Sequence, residues 1–169
     1  VTYDSDEMTA LLDWAKRREV FVIADEVYDQ LVYPPAVRAS ACTWWKENQE
    51  HVAIVNALSK SFAMTGWRMG YTLGHADLIR QCMKVQSQVT SNPCSITQAA
   101  ASAALKGDFS EMAAMREAFM RRRDMAWAEI SSWDGVVCPR PEGAFYLFPD
   151  VSALYNEKMP DDAAFCRYM

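Results

Sequence analysis

Two short apolar runs in this sequence each lead into polar side chains of a reactive kind. Val20-Phe21-Val22-Ile23-Ala24 is followed by Asp25-Glu26-Val27-Tyr28, and Val52-Ala53-Ile54-Val55 by Asn56 and, four residues later, Lys60. Short, continuous, β-branched runs of this type predict strands covered on both faces. In open α/β sheets ligands collect outside the carboxyl ends of parallel strands, so both polar sets are expected to face one crevice. That crevice would hold a carboxylate (Asp25), a phenol (Tyr28), an amine (Lys60) and, eight residues past the lysine, a guanidinium (Arg68). An amine condenses with an aldehyde to an imine when its surroundings keep a useful fraction neutral, as a partly desolvated crevice does. A guanidinium offers a planar fork suited to phosphate. Singly, each residue has an ordinary explanation: a loop-opening Asp, a packed Tyr, a solvated Lys, an ion-paired Arg. Jointly they point to chemistry.

The elements that must position these groups follow from pattern. Asp4 and Glu7 form a helix-start signature, after which Met8, Leu11, Leu12 and Ala15 recur at helical spacing until the charged run Lys16-Arg17-Arg18-Glu19. Helix then strand, twice, predicts α/β. Only about 13 residues separate the second strand from Gly70-Tyr71-Thr72-Leu73-Gly74, too few for a loop and a crossover helix, so the third strand should run antiparallel. A helix is expected through Leu78 to Val89, a break at Asn92-Pro93, a second helix from about Ile96 to Leu105, and a stop at Gly107. Asp108 and Glu111 open a long helix that includes Arg121-Arg122-Arg123, read as a solvated face. Val136-Val137 and Phe145-Tyr146-Leu147-Phe148 read as two short strands of a different layer, with the domain boundary at 107/108.

Composition removes several classes of function. Of the 169 residues 51% are hydrophobic, which excludes disorder, and 17 Lys plus Arg against 22 Asp plus Glu give a net charge of -5, which argues against nucleic acid as a partner. No apolar run is long enough to cross a bilayer and no leader precedes the first helix, so a cytoplasmic protein without a membrane partner is expected. Five widely spaced cysteines without a C-x-x-C pair suggest neither a disulfide framework nor a zinc knuckle, and with only His51 and His75 no metal site is expected. A start at Val1 and a stop at Met169 inside a helical pattern suggest a piece of a longer chain.

The segment Ala57-Leu58-Ser59-Lys60-Ser61-Phe62-Ala63-Met64-Thr65-Gly66-Trp67-Arg68-Met69-Gly70 resembles the cofactor-lysine signature of the class I and II aminotransferases, pyridoxal-phosphate enzymes of fold type I. Ala24-Asp25-Glu26-Val27-Tyr28 is similar to the family's A/S-D-E-x-Y segment, Ser91-Asn92-Pro93 to its S-N-P, and Pro141-Glu142-Gly143-Ala144-Phe145-Tyr146 to its P-x-G-A-F-Y. The wording F-A-M-T-G-W-R is closest to the bacterial branch that contains aspartate and aromatic aminotransferases.

The resemblance implies an α/β fold: part of the mostly parallel, three-layer large domain over 1–107 and part of an α+β small domain over 108–169. It implies pyridoxal 5'-phosphate as cofactor, carried on Lys60, which then shuttles a proton at the substrate Cα. Asp25 is expected at the pyridine nitrogen, Tyr28 at the ring oxygen, and Arg68 and Ser59 at the phosphate. Ala57 departs from the Ser or Thr that many relatives use there, so one phosphate contact is missing. Ser91 and Asn92 are expected to reach across a homodimer interface. Phe145 and Tyr146 belong either at the substrate mouth or in the core. An amino acid and a 2-oxo acid are the implied substrates. Ser87 stands where one dicarboxylate-reading branch has an arginine, so that mode of recognition is absent. A lyase on the same scaffold and an aminotransferase-like regulatory domain remain alternatives. The phosphate cradle, the ring-stacking aromatic and the α-carboxylate arginine of the family would lie outside these residues, so the 169-residue chain alone is expected to be inactive.

Overall fold

The computed structural model describes residues 2–169. Helix α1 (Ser5–Arg17) begins with the expected capping box: the Asp4 carboxylate accepts from the Glu7 backbone N–H at 2.8 Å while the Glu7 side chain accepts from the Asp4 N–H. It ends at the charged run, where Glu19 takes a positive φ of 56°. Strand β1 (Val22–Asp25) follows, then a loop, a short helix α2 (Cys42–Trp45) and strand β2 (Val52–Ala57). One turn of helix, α3 (Leu58–Ser61), and a 3-10 turn (Thr65–Trp67) connect to β3 (Gly70–Leu73). Four further helices follow, α4 (Ala76–Val89), α5 (Ser95–Lys106), α6 (Ser110–Ser131) and α7 (Asp162–Tyr168), and the stretch between α6 and α7 is irregular apart from a 3-10 turn at Ser152–Leu154 and isolated bridges.

The three strands form one sheet in the order β1-β2-β3, with β1 parallel and β3 antiparallel to β2, as the connection lengths require. Gly70 is needed for the close approach of β3, since a Cβ there would lie 3.0 Å from the Asn56 carbonyl. One face of the sheet is packed: Val52 and Ile54 join Leu12 and Ala41, with Met8, Val22, Ala24, Trp44 and Trp45 around them. A second cluster, Leu58, Met64 and Ala101, anchors the connection after β2 to α5.

Three expectations need correction. Among the described residues strand β1 is covered on one face, and Ile23 is 68% exposed. Among the described residues α1 and α2 cover one side of β1, whereas α4 meets the other side of the sheet near Ala53 and Gly74. The Phe145–Phe148 segment is no strand, and Val136-Val137 contributes a single bridge, Val137 to Asp150. Pro139 and Pro141 lack the N–H that a ladder needs, and the backbone groups of 142 to 144 are bonded to residues 31 and 33 instead. Finally, Arg123 is buried rather than solvated, lying over the Tyr33 ring at 4.7 Å from its centroid and donating to the Pro141 carbonyl.

Candidate active site

Parallel pairing of β1 with β2 delivers both strands to the same edge, where the chain leaves through Asp25 and Ala57. Asp25 pairs with Val55, and Val55 with Thr72, so these three side chains share the less covered face of the sheet. After β1 the backbone turns tightly, with Leu31 N–H donating to the Tyr28 carbonyl at 2.8 Å. Two acids tie down this turn. Glu26 accepts from Ser40 and from the Ala41 N–H, both at 2.7 Å, and Asp29 pairs with Arg38 at 2.8 Å and accepts from Ser61 Oγ at 3.3 Å. The Ser61 contact couples the turn that carries Tyr28 to the helix that carries Lys60.

The Lys60 ammonium lies 5.7 Å from the Tyr28 ring centroid and 5.0 Å from that of Phe145. Tyr28 packs edge-on against Phe145 and Tyr146, and its hydroxyl is 2.7 Å from the Tyr146 hydroxyl. Burial pushes the Tyr28 phenol up to about 12, with the charge of the Asp25 carboxylate acting in the same direction. Tyr28 is therefore a neutral donor throughout the physiological range.

Asp25 accepts from the Val27 N–H at 3.2 Å, and among the described residues it has no ion-pair partner within 4 Å. On its face of the sheet a cavity of about 520 Å³ opens between the strands and α4, lined by Val55, Ser59, Arg68, Thr72 and residues of α4. Arg68 reaches it from a left-handed backbone (φ 53°), and Ala63 in the same connection is left-handed as well (φ 53°). Such conformations cost about 1–2 kcal/mol each for non-glycine residues and concentrate at functional sites. The Leu58 N–H bond to Met69 at 3.2 Å closes the connection and holds it in place. Arg68 Nη1 donates to the Thr65 carbonyl, which aims the guanidinium without consuming its other donors.

The structure thus groups Lys60 with Tyr28, sets Ser59 and Arg68 in one cavity, and turns Asp25 to the face of that cavity. Ser91 (φ 59°) and Asn92 stand apart on the exposed turn between α4 and α5, outside the cavity that Ser59 and Arg68 line. Sequence reading missed the anchoring acids Glu26 and Asp29 and the buried Arg123. Their only local signal is a charge inside an otherwise ordinary loop or helix.

An amine, a phenol and an unpaired carboxylate at one strand-end crevice, with a hydroxyl and a guanidinium beside them, suit an aldehyde cofactor that carries a basic ring nitrogen and a phosphate. The family model of aminotransferase class I and II matches residues 1–169, and the chain belongs to that family. It is 39% identical over 170 residues to an aspartate/prephenate aminotransferase of Cereibacter sphaeroides, covering 96% of this chain and 42% of that protein. It is 38% identical to an aspartate aminotransferase of Bacillus subtilis over 89% of this chain and 38% of that one. Among solved structures, the aspartate aminotransferase from Rhizobium meliloti superposes with a TM-score of 0.89 at 34% identity, over 98% of this chain and 43% of the other. The chain spans about two fifths of the length of these relatives. Among the described residues no helix is long and apolar enough to cross a membrane.

Proposed function

We propose that the whole protein is a pyridoxal-phosphate-dependent aminotransferase that exchanges an amino group between an amino acid and a 2-oxo acid. The carrying observation is the convergence of Lys60, Tyr28 and Asp25 on one strand-end crevice, with Ser59 and Arg68 on the adjoining cavity. The cofactor, when bound, supplies an aldehyde and an electron-withdrawing ring. Lys60 would hold the cofactor through its aldehyde, the carbonyl oxygen leaving as water with the two protons of the neutral amine, and when free of it would move a proton at the substrate Cα. Asp25 holds a proton at the pyridine nitrogen. Tyr28 donates to the ring oxygen, and Arg68 and Ser59 bind the phosphate.

The names of the relatives support aspartate as the first amino donor to assay. The exposed apolar side chains Met83, Val85 and Val89 on α4 and Ile96 on α5 flank Ser91 and Asn92, and support a homodimer in which that turn meets the neighbouring subunit. A division into cofactor-binding residues 1–107 and small-domain residues 108–169 is part of this reading. Five free thiols suit the reducing cytoplasm.

Borohydride reduction of the whole protein loaded with pyridoxal phosphate tests the proposal. The label is expected on the peptide containing Lys60, and Lys60→Ala should abolish both label and turnover. A label on Lys16, Lys46 or Lys84 would overturn the assignment.

A further inference from the structure

The hydroxyls of Tyr28 and Tyr146 meet at 2.7 Å although 118 residues separate them in the chain. The approach is built. Arg123 donates to the Pro141 carbonyl at 2.8 Å, the Tyr33 N–H donates to the Glu142 carbonyl at 2.7 Å, and the Tyr33 hydroxyl donates to the Ala144 carbonyl. The Ala144 N–H donates to the Leu31 carbonyl at 2.7 Å, and Ala144 sits in the left-handed region (φ 56°). This clamp fixes the segment against the turn after β1 and leaves Tyr146 directly over Tyr28.

A phenol has one proton to give and can accept at least one more. If Tyr28 spent its proton on Tyr146, it would have none for another acceptor. Tyr146 makes no other hydrogen bond among the described residues and is 59% exposed, so its proton is free for Tyr28. The remaining charged groups about Tyr28 are Asp25 at the end of β1, whose negative charge keeps the phenol protonated, and Lys60 of α3 above the ring.

We propose that Tyr146 is a positioning residue for Tyr28: its hydroxyl donates to the Tyr28 oxygen and leaves the Tyr28 proton directed at the ring oxygen of the cofactor. This rests on the pyridoxal-phosphate reading of the site. Accepting a hydrogen bond also polarises the Tyr28 hydroxyl and strengthens it as a donor.

The test is a pH titration of the visible absorbance of the whole protein loaded with pyridoxal phosphate. A donor at the ring oxygen stabilises the form in which that oxygen carries full negative charge, the form that prevails at high pH. Losing the donor therefore raises the titration midpoint. Tyr28→Phe should raise it most. Tyr146→Phe, which removes one hydroxyl and keeps the ring contacts with Tyr28 and Phe145, should raise it by about half a pH unit with an unchanged melting temperature. The double variant should match Tyr28→Phe alone, because the Tyr146 effect passes through Tyr28. An unmoved midpoint in Tyr146→Phe, or a further shift in the double variant, overturns the role of Tyr146 and leaves the functional reading standing. A wild-type protein that takes up no pyridoxal phosphate overturns both.

Discussion

The two faces of the small sheet differ more than their shared strands suggest. On one, Val22, Ala24, Val52 and Ile54 are packed against α1, α2 and Ala41. On the other, Asp25, Val55 and Thr72 form a row of which Val55 and Thr72 line a cavity shared with Ser59 and Arg68, and Ile23 is mostly exposed. Because side chains alternate along a strand, Ala24 serves the core and Asp25 the cavity face with one peptide bond between them. A register slip of one residue would exchange the two roles, so packing of the first face is what aims the second.

The largest effect should come from the cavity face. Asp25→Ala is expected to lower turnover about 10²-fold or more while leaving the melting temperature nearly unchanged, and Asp25→Glu to retain much more activity, measured as initial rates of the whole protein with aspartate. Near wild-type rates in the alanine variant would reduce Asp25 to a cap for the Val27 N–H.

The packed face should respond in the opposite sense. Leu12→Ala removes a fully buried side chain and should cost about 2–5 kcal/mol in urea denaturation, with the absorbance of bound cofactor unchanged wherever the protein remains folded. A selective loss of cofactor at full stability would show that the faces are not separate.

A smaller change is expected at Ser59→Ala, which removes one hydroxyl from the cavity: about a fivefold rise in the dissociation constant for pyridoxal phosphate and little else. Unchanged affinity would withdraw Ser59 from the phosphate site.

The smallest effect concerns the clamp behind Tyr146. Hydrogen bonds from Arg123 and then Arg140 hold the Asp124 carboxyl below its ordinary value of 3.8. A carboxyl whose folded-state pKa is depressed contributes stability above its unfolded value and loses it as pH falls through the folded one. Acid titration of wild type should therefore show a stability increment present above pH 3.8 and fading below it, absent from Asp124→Asn.

Much of the crevice is legible in the sequence because its determinants are local. β-branched runs fix the strands, the short link between β2 and β3 forces an antiparallel return, and Asp4 with Glu7 caps α1, each through groups a few residues apart. The motif around Lys60 carries the amine and the guanidinium, at a fixed spacing, within one short segment. The extent of cover over β1 is not legible, since it depends on which elements from elsewhere come to lie on each face.

The sequence by itself determined the helices and strands up to α6, the sheet directions, the family and the residues offered for chemistry, because hydrophobic period, capping and chain length act over short spans. Tertiary structure alone decided that Arg123 is buried, that Phe145–Phe148 is no strand, and that Tyr146 reaches Tyr28. The last two turn on hydrogen bonds between residues more than 100 positions apart, Tyr33 to Glu142 and Leu31 to Ala144 among them, and the burial of Arg123 on its contacts with the Pro141 carbonyl and the Tyr33 ring. Prolines had removed the local ladder, and no pattern within a short window encodes which distant carbonyls take its place.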